Sequence, residues 1–331
     1  MLSKRACFVR LLSPYGLGLA AIPTLIKNSE VHIPRLTIKN IKYNQTFLLP
    51  FDQGFRKVSL LNDYSLDAPL VAIVWQFVLA RWISADLGFY HPFILGVSVW
   101  LAYSADRFSE PNQPALGKAR RHAIFRHHQF AFLCFWATAF LGVLGSSLCY
   151  LEVDCLLCGL PLFALCVGNF LLCRMESRLG FASKCSKEFR TAFIFSLGCI
   201  LFPFQESSLG FAEFAWFWLV SFSLFLINCV CVSEWEWSED EKRGCLSWLQ
   251  SKPVLLKNLS KAKYAFALLA GVGLLIDGLD RSLLTYALCV SAFVILIDSC
   301  LSDNQGKREA IDLGYWILPL ALVGFEYVLR I

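Results

Sequence analysis

Two short polar runs hold carboxylates spaced one helical turn apart. In AYSADRFSE the pair is Asp106 and Glu110, and in SEWEWSEDEKRG it is Glu236 and Asp240. Residues four apart share one face of a helix, so each pair presents two acids in the same direction. Two such pairs facing one another make a site for a hard divalent cation, which takes oxygen ligands and keeps waters or substrate phosphates in its remaining positions. Magnesium with a diphosphate suits that donor set. The metal would neutralise a pyrophosphate leaving group as charge develops on it, while nearby basic side chains such as Arg107 and Arg243 would hold the non-bridging oxygens. Without a cation, acids held together would repel one another.

The elements that must position these acids are apolar. Of 331 residues, 57% are hydrophobic and 17% charged, with Phe 29 and Trp 10, too little polar surface to cover a soluble domain. Lipid tolerates no unpaired backbone groups, so the spanning segments should be helices of roughly 20 residues. Apolar runs with polar ends lie at about 69 to 85, 90 to 105, 128 to 149, 155 to 173, 189 to 204, 212 to 233, 263 to 279, 282 to 301 and 312 to 330, giving nine spans. Arg81 and Arg190 adjoin two of these runs and are expected to snorkel to an interface. The expected fold is an all-α polytopic membrane domain over residues 66–331, preceded by a cytoplasmic or interfacial extension over 1–65 that the membrane architecture does not require. Its one apolar stretch, Leu11 to Ile26, is interrupted by Pro14, Gly16, Gly18 and Pro23 and is neither a span nor a clean signal peptide.

Lys and Arg in short loops set orientation. All but Arg81, Arg281 and Arg330 of the 30 basic residues fall before the first span or in the loops after even-numbered spans. Those loops, both acidic pairs and the N-terminus are therefore expected on the cytoplasmic side, and an odd number of spans puts Ile331 outside. The net charge of +5 is explained by this orientation, and nucleic-acid binding has no support. The 14 cysteines lie largely in apolar runs, where Cys packs as a small hydrophobe, and the CxxC of Cys155 and Cys158 has no second pair at zinc spacing. His122, His127 and His128 stand among Lys118, Arg120, Arg121 and Arg126 and read as part of a cationic surface for phosphate or anionic lipid. Trp235 and Trp237 read as interfacial aromatic anchors. Asn228, two turns before Glu236, should face the bundle interior, lining a cavity or bonding a neighbouring helix. Asp298, near the end of the eighth span, has no partner evident from sequence. No pair of inverted halves with broken helices points to a transporter.

Nine spans with acidic motifs after the second and sixth resemble the UbiA-type intramembrane prenyltransferases, and within them a divergent bacterial branch with similar WLAYSADR and DLGYWILPL stretches. That family's first motif runs NxxxDxxxD and its second DxxxD, usually followed by xxxG. The matching positions here are Ala102, Asp106 and Glu110, then Glu236, Asp240 and Gly244. The resemblance covers roughly residues 66–331. It implies transfer of an isoprenyl group from an isoprenyl diphosphate to a lipophilic or aromatic acceptor, with Mg2+ held by Asp106, Glu110, Glu236 and Asp240. It implies catalytic roles for Asp106 and Asp240 and diphosphate contacts from Arg107, Lys187 and Arg243, Lys187 falling where such enzymes often carry a phosphate-binding lysine. It also implies residence in a lipid bilayer, the bacterial inner membrane. Ala102 cannot ligate, and Glu110 and Glu236 carry a longer arm than the motif's Asp. These departures keep a second reading open, a non-catalytic isoprenoid or lipid binder, or an assembly partner, on the same fold.

Overall fold

The structure is a computed structural model. It describes residues 64–109, 129–179, 185–243, 246–276, 281–302 and 304–329, all within the compact unit Leu48–Ile331. Residues 1–63 of the N-terminal extension, the histidine-rich loop, Glu110 and Gly244 lie outside the described residues, as do the side chains of Arg107 and Arg243.

Every element among the described residues is an α-helix. In chain order these are α1 (Asp67–Trp82), α2 (Tyr90–Ser109), α3 (Gln129–Tyr150), α4 (Val153–Leu179), α5 (Lys187–Gln205), α6 (Phe211–Arg243), α7 (Pro253–Ser260), α8 (Ala262–Gly273), α9 (Arg281–Cys300) and α10 (Asn304–Leu329). Four of them carry stretches long and apolar enough to cross a membrane by composition alone: Gln129–Tyr150, Val153–Glu176, Phe211–Ser238 and Leu283–Cys300. On α3 no residue is buried against protein although the helix is almost wholly apolar, so lipid is the solvent that covers it. The nine apolar runs correspond to α1 to α6 and α8 to α10, an all-α polytopic membrane protein. The seventh run is shorter than expected, ending as α8 at Gly273, and α7 stands in the loop before it with Pro253 opening its first turn.

α1 is the central strut. It packs on α2, α5 and α10, while α6 packs on α5, α9 and α10, and α3 and α4 lie outside against α2 and α5. The joints follow from backbone accounting. Pro319 interrupts α10 and has no N–H to give Tyr315, four residues back, so that carbonyl needs another donor in the apolar interior. Trp75 of α1 supplies it, its Nε1 lying 2.9 Å from the Tyr315 oxygen. The Tyr315 hydroxyl in turn donates to the Leu224 carbonyl of α6 at 2.6 Å, so one buried tyrosine ties three helices together. The surrounding core is made by Ala72, Leu79, Cys199, Ile200, Leu224, Leu283, Ala287, Val290 and Ile311, all buried.

Candidate functional site

Because the helices alternate in direction, the start of α1, the end of α2, the start of α5, the end of α6 and the start of α10 meet at one end of the bundle. This end carries the functional candidates. Ser186 caps α5, its hydroxyl accepting from the Phe189 N–H at 3.3 Å. The cap fixes Lys187 and Glu188 in the first turn, where their side chains leave the helix toward α2 and α6 respectively. Lys187 Nζ lies 3.7 Å from Asp106 Oδ2 of α2, a pair half open to solvent. Asp67 of α1 and Asp312 of α10 join Asp106 within electrostatic reach of Tyr103 on α2. Cys229 of α6 is within the same reach of Lys187, Glu188 and Asp312, so five helices contribute to one polar neighbourhood.

The second motif is distributed between two neighbours. Asp240 accepts a hydrogen bond from Gln250 Nε2 at 2.8 Å. Gln250 sits on a strap, residues 246–252, that folds back along the end of α6; its Nε2 also donates to the Ser233 carbonyl at 3.1 Å and its Oε1 accepts from the Ser247 N–H at 2.9 Å. The hydroxyls of Ser233 and Ser247 donate to Glu188 Oε1 at 2.8 and 2.7 Å. One chain of contacts thus runs from Asp240 through Gln250 and Ser247 to Glu188, beside the Lys187 that pairs with Asp106. Glu236 takes the other direction, its carboxylate accepting from the Arg308 guanidinium of α10.

Several expectations are altered by these partners. Arg190 does not snorkel: its guanidinium donates to Glu176 Oε1 and Oε2 at 3.2 and 2.9 Å and its Nε to Asn169 at 2.8 Å, because α4 brings a carboxylate to it inside the bundle. Trp235 is buried rather than interfacial, with Nε1 donating to Asp298 at 3.1 Å. Asp298 has partners after all, Lys263, Lys307 and Trp235. Lys263, the residue that opens the seventh apolar run, is buried in α8. Asn228 lies in α6 with its carbonyl oxygen buried and without a hydrogen-bond partner among the described residues. Cys155 and Cys158 are free thiols.

Sequence reasoning overlooked Glu188, Ser233, Ser247 and Gln250. Glu188 had a signal, an acid adjoining Lys187 in a span otherwise apolar. Gln250 had none, since its contact depends on how the strap folds back.

Magnesium is the group the motifs imply, and its fit here is uneven. Among the described residues no three His, Cys, Asp or Glu side chains converge on a point that could hold a metal ion. Glu236 does not suit a cation, since Arg308 already compensates its charge. Asp106 and Asp240 are the acids left as candidates: Asp106 pairs with Lys187 at 3.7 Å in a half-exposed position, and Asp240 accepts from the Gln250 amide. Mg2+ is commonly bound through one or two carboxylates together with substrate phosphates and waters.

The bundle is similar to the apo structure of a UbiA homolog from Aeropyrum pernix K1, with a TM-score of 0.52 over 79% of this chain and 98% of that one, at 12% sequence identity. The chain carries the UbiA-type fold. No family model matches the sequence, and no curated protein does. The likeness therefore rests on helix order and packing, which is where the two acidic motifs acquire their common end.

Proposed function

We propose that the chain is a UbiA-like prenyltransferase of the cytoplasmic membrane, moving an isoprenyl group from an isoprenyl diphosphate to a lipophilic or aromatic acceptor. The observation that carries this reading is that, in a UbiA-type bundle, the Asp106–Lys187 pair and the chain of contacts from Glu188 through Ser247 and Gln250 to Asp240 lie at one end and are joined by the first turn of α5. On this reading that end faces the cytoplasm, the N-terminus lies on the same side and Ile331 on the other, following the distribution of Lys and Arg.

Lys187 at the start of α5 meets the diphosphate with its ammonium, and the unpaired N–H groups of the first helical turn add a partial positive charge in the same place. Asp106 and Asp240 would hold Mg2+, which would supply positive charge to stabilise pyrophosphate as it leaves. Asp240 is kept pointing at the site by Gln250, and Asp106 by Lys187. The isoprenyl tail lies among apolar side chains between the helices, away from water. Departure of pyrophosphate leaves an allylic carbocation, whose carbon forms a bond to the acceptor as the acceptor loses a proton.

The test is Mg2+-dependent transfer of label from a radiolabelled farnesyl diphosphate into lipid-extractable product by the purified protein, with a bacterial lipid extract as acceptor source. Asp106→Asn and Asp240→Asn are each expected to lower transfer by about 100-fold or more, the scale on which preorganised charge acts in such sites. Equal incorporation by wild type and both variants refutes the assignment. A second reading, a non-catalytic isoprenoid binder on the same fold, is favoured by the Glu236–Arg308 pair and by Ala102, an exposed residue without ligating atoms. It predicts binding of the diphosphate without Mg2+ linkage, so that Mg2+ adds nothing to the thermal stabilisation the ligand gives.

A further inference from the structure

Between Leu246 and Ile276 the chain holds four lysines and no acid. Lys263 is buried against Asp298. The other three, Lys252, Lys257 and Lys261, are exposed, and among the described residues none of them pairs with a carboxylate. They stand at the ends and along one edge of α7, where residues four apart share a face. Leu256 and Ser260 form its buried face. Exposed Leu255 and Leu259 border that face on one side and exposed Lys257 and Lys261 on the other, with Val254 and Asn258 on the outer surface between them.

The buried face fixes the depth of the helix. Leu256 packs with Val230 of α6 and Leu249 of the strap, and Val230 lies about two turns before the end of the apolar stretch Phe211–Ser238. α7 therefore lies beside hydrocarbon, and α8, which follows directly, is also apolar where it is exposed, at Leu268, Leu269 and Val272. Lys252, the N-cap of α7, holds its ammonium 4.1 Å from the centre of the Trp248 ring, so the strap brings a third cation to the same helix.

We propose that α7 is a seat for an anionic phospholipid of the leaflet around this end of the bundle, its phosphate meeting Lys257 and Lys261 and its acyl chains lying over Leu255 and Leu259. Orientation of the chain does not require this arrangement, since lysines anywhere in a short loop serve that purpose. Cations sorted to one edge of a helix and exposed leucines to the other are what an interfacial helix uses to bind anionic lipid. A neutral headgroup would leave the unpaired ammonium groups uncompensated, whereas a phosphate adds attraction for each lysine near it. The proposal goes beyond prenyl transfer and stands whether or not the acids of the bundle bind a diphosphate.

The experiment is native mass spectrometry of the purified full-length protein, released from micelles that contain phosphatidylglycerol or phosphatidylcholine with the same acyl chains. Wild type is expected to bind phosphatidylglycerol about tenfold or more tightly than phosphatidylcholine, and Lys257→Gln with Lys261→Gln to lose most of that preference, about fivefold for each lysine, the scale of one basic residue near an anionic leaflet. Lys257→Arg with Lys261→Arg keeps the charge and is expected to keep the preference. Leu255→Ser with Leu259→Ser is expected to weaken the binding of both lipids. Equal binding of the two lipids by wild type, or an undiminished preference in the double glutamine variant, overturns the proposal. So does a lipid-free dimer that the double serine variant dissociates, which would make a second copy of the chain the occupant of this face. Each of these outcomes is read without reference to transfer activity, so the proposed function stands or falls separately.

Discussion

Replacing Asp298 by Asn tests whether the buried polar cluster at the end of α9 is an electrostatic joint. Asp298 accepts from Lys263 of α8, from Lys307 of α10 at 2.9 Å and from Trp235 of α6 at 3.1 Å, so one carboxylate connects four helices. Lys263 is 2% exposed and Lys307 12%, and neither ammonium has easy access to water. Asparagine keeps the carboxamide oxygen that Trp235 needs and nearly the same volume, which isolates the charge. Removing one partner of a buried ion pair costs about 3–5 kcal/mol, because the other charge is stranded. The comparison is Asp106→Asn, whose pair with Lys187 is 44% and 49% exposed at 3.7 Å and should contribute no more than about 1 kcal/mol. Equilibrium unfolding in mixed micelles, followed by circular dichroism, reads both. Combining Asp298→Leu with both Lys263→Met and Lys307→Met should recover most of the loss, since well-packed apolar residues substitute for a buried ionic cluster at little cost. A loss below about 1 kcal/mol for Asp298→Asn, or a triple variant as unstable as the single, would refute the cluster as the joint described.

Three further variants are read by the same unfolding assay. Glu176→Gln leaves the Arg190 guanidinium with a neutral partner between α4 and α5 and is expected to cost about 1.5–3 kcal/mol, the range for hydrogen bonds to charged groups. Trp75→Phe removes the only donor found for the Tyr315 carbonyl that Pro319 leaves free, among the described residues, and should cost about 1–3 kcal/mol with the ring volume largely kept. Gly314→Ala would drive a methyl into the Phe293 ring across the α9–α10 contact and should cost about 1–3 kcal/mol as overpacking.

Apolar run length and the alternation of basic loops are strong signals because lipid enforces both, and the helices follow them closely: α3 at Gln129–Tyr150 and α9 at Arg281–Cys300 match the runs at 128 to 149 and 282 to 301 within a residue or so. The departures occur where helices leave the hydrocarbon. α6 continues to Arg243 and α10 begins at Asn304, since beyond the interface polar residues can extend a helix that hydropathy no longer marks. α7 is about two turns of amphipathic helix in a loop too polar to read as a span. At the site, residue types and one-turn spacing are enough to nominate Asp106 and Asp240, since spacing along one helix is fixed by the helix itself, whereas Lys187 enters only through the family resemblance. The partners of Arg190, Asp298 and Glu236 come from other helices, and no spacing within one helix announces them.

Ser233, Glu236 and Asp240 recur on one side of α6, yet their side chains part company. Arg308 approaches that side from α10 and draws Glu236, while Ser247 and Gln250 approach from the strap and draw Ser233 and Asp240 toward α5. Periodicity therefore locates the acids without deciding which of them can serve a cation. Compensation bears on that choice: a carboxylate already facing a guanidinium, as Glu236 does, gains little from a metal, so on the proposed reading the second motif's contribution falls to Asp240, which is tied to the same end of the bundle as Asp106 through the first turn of α5.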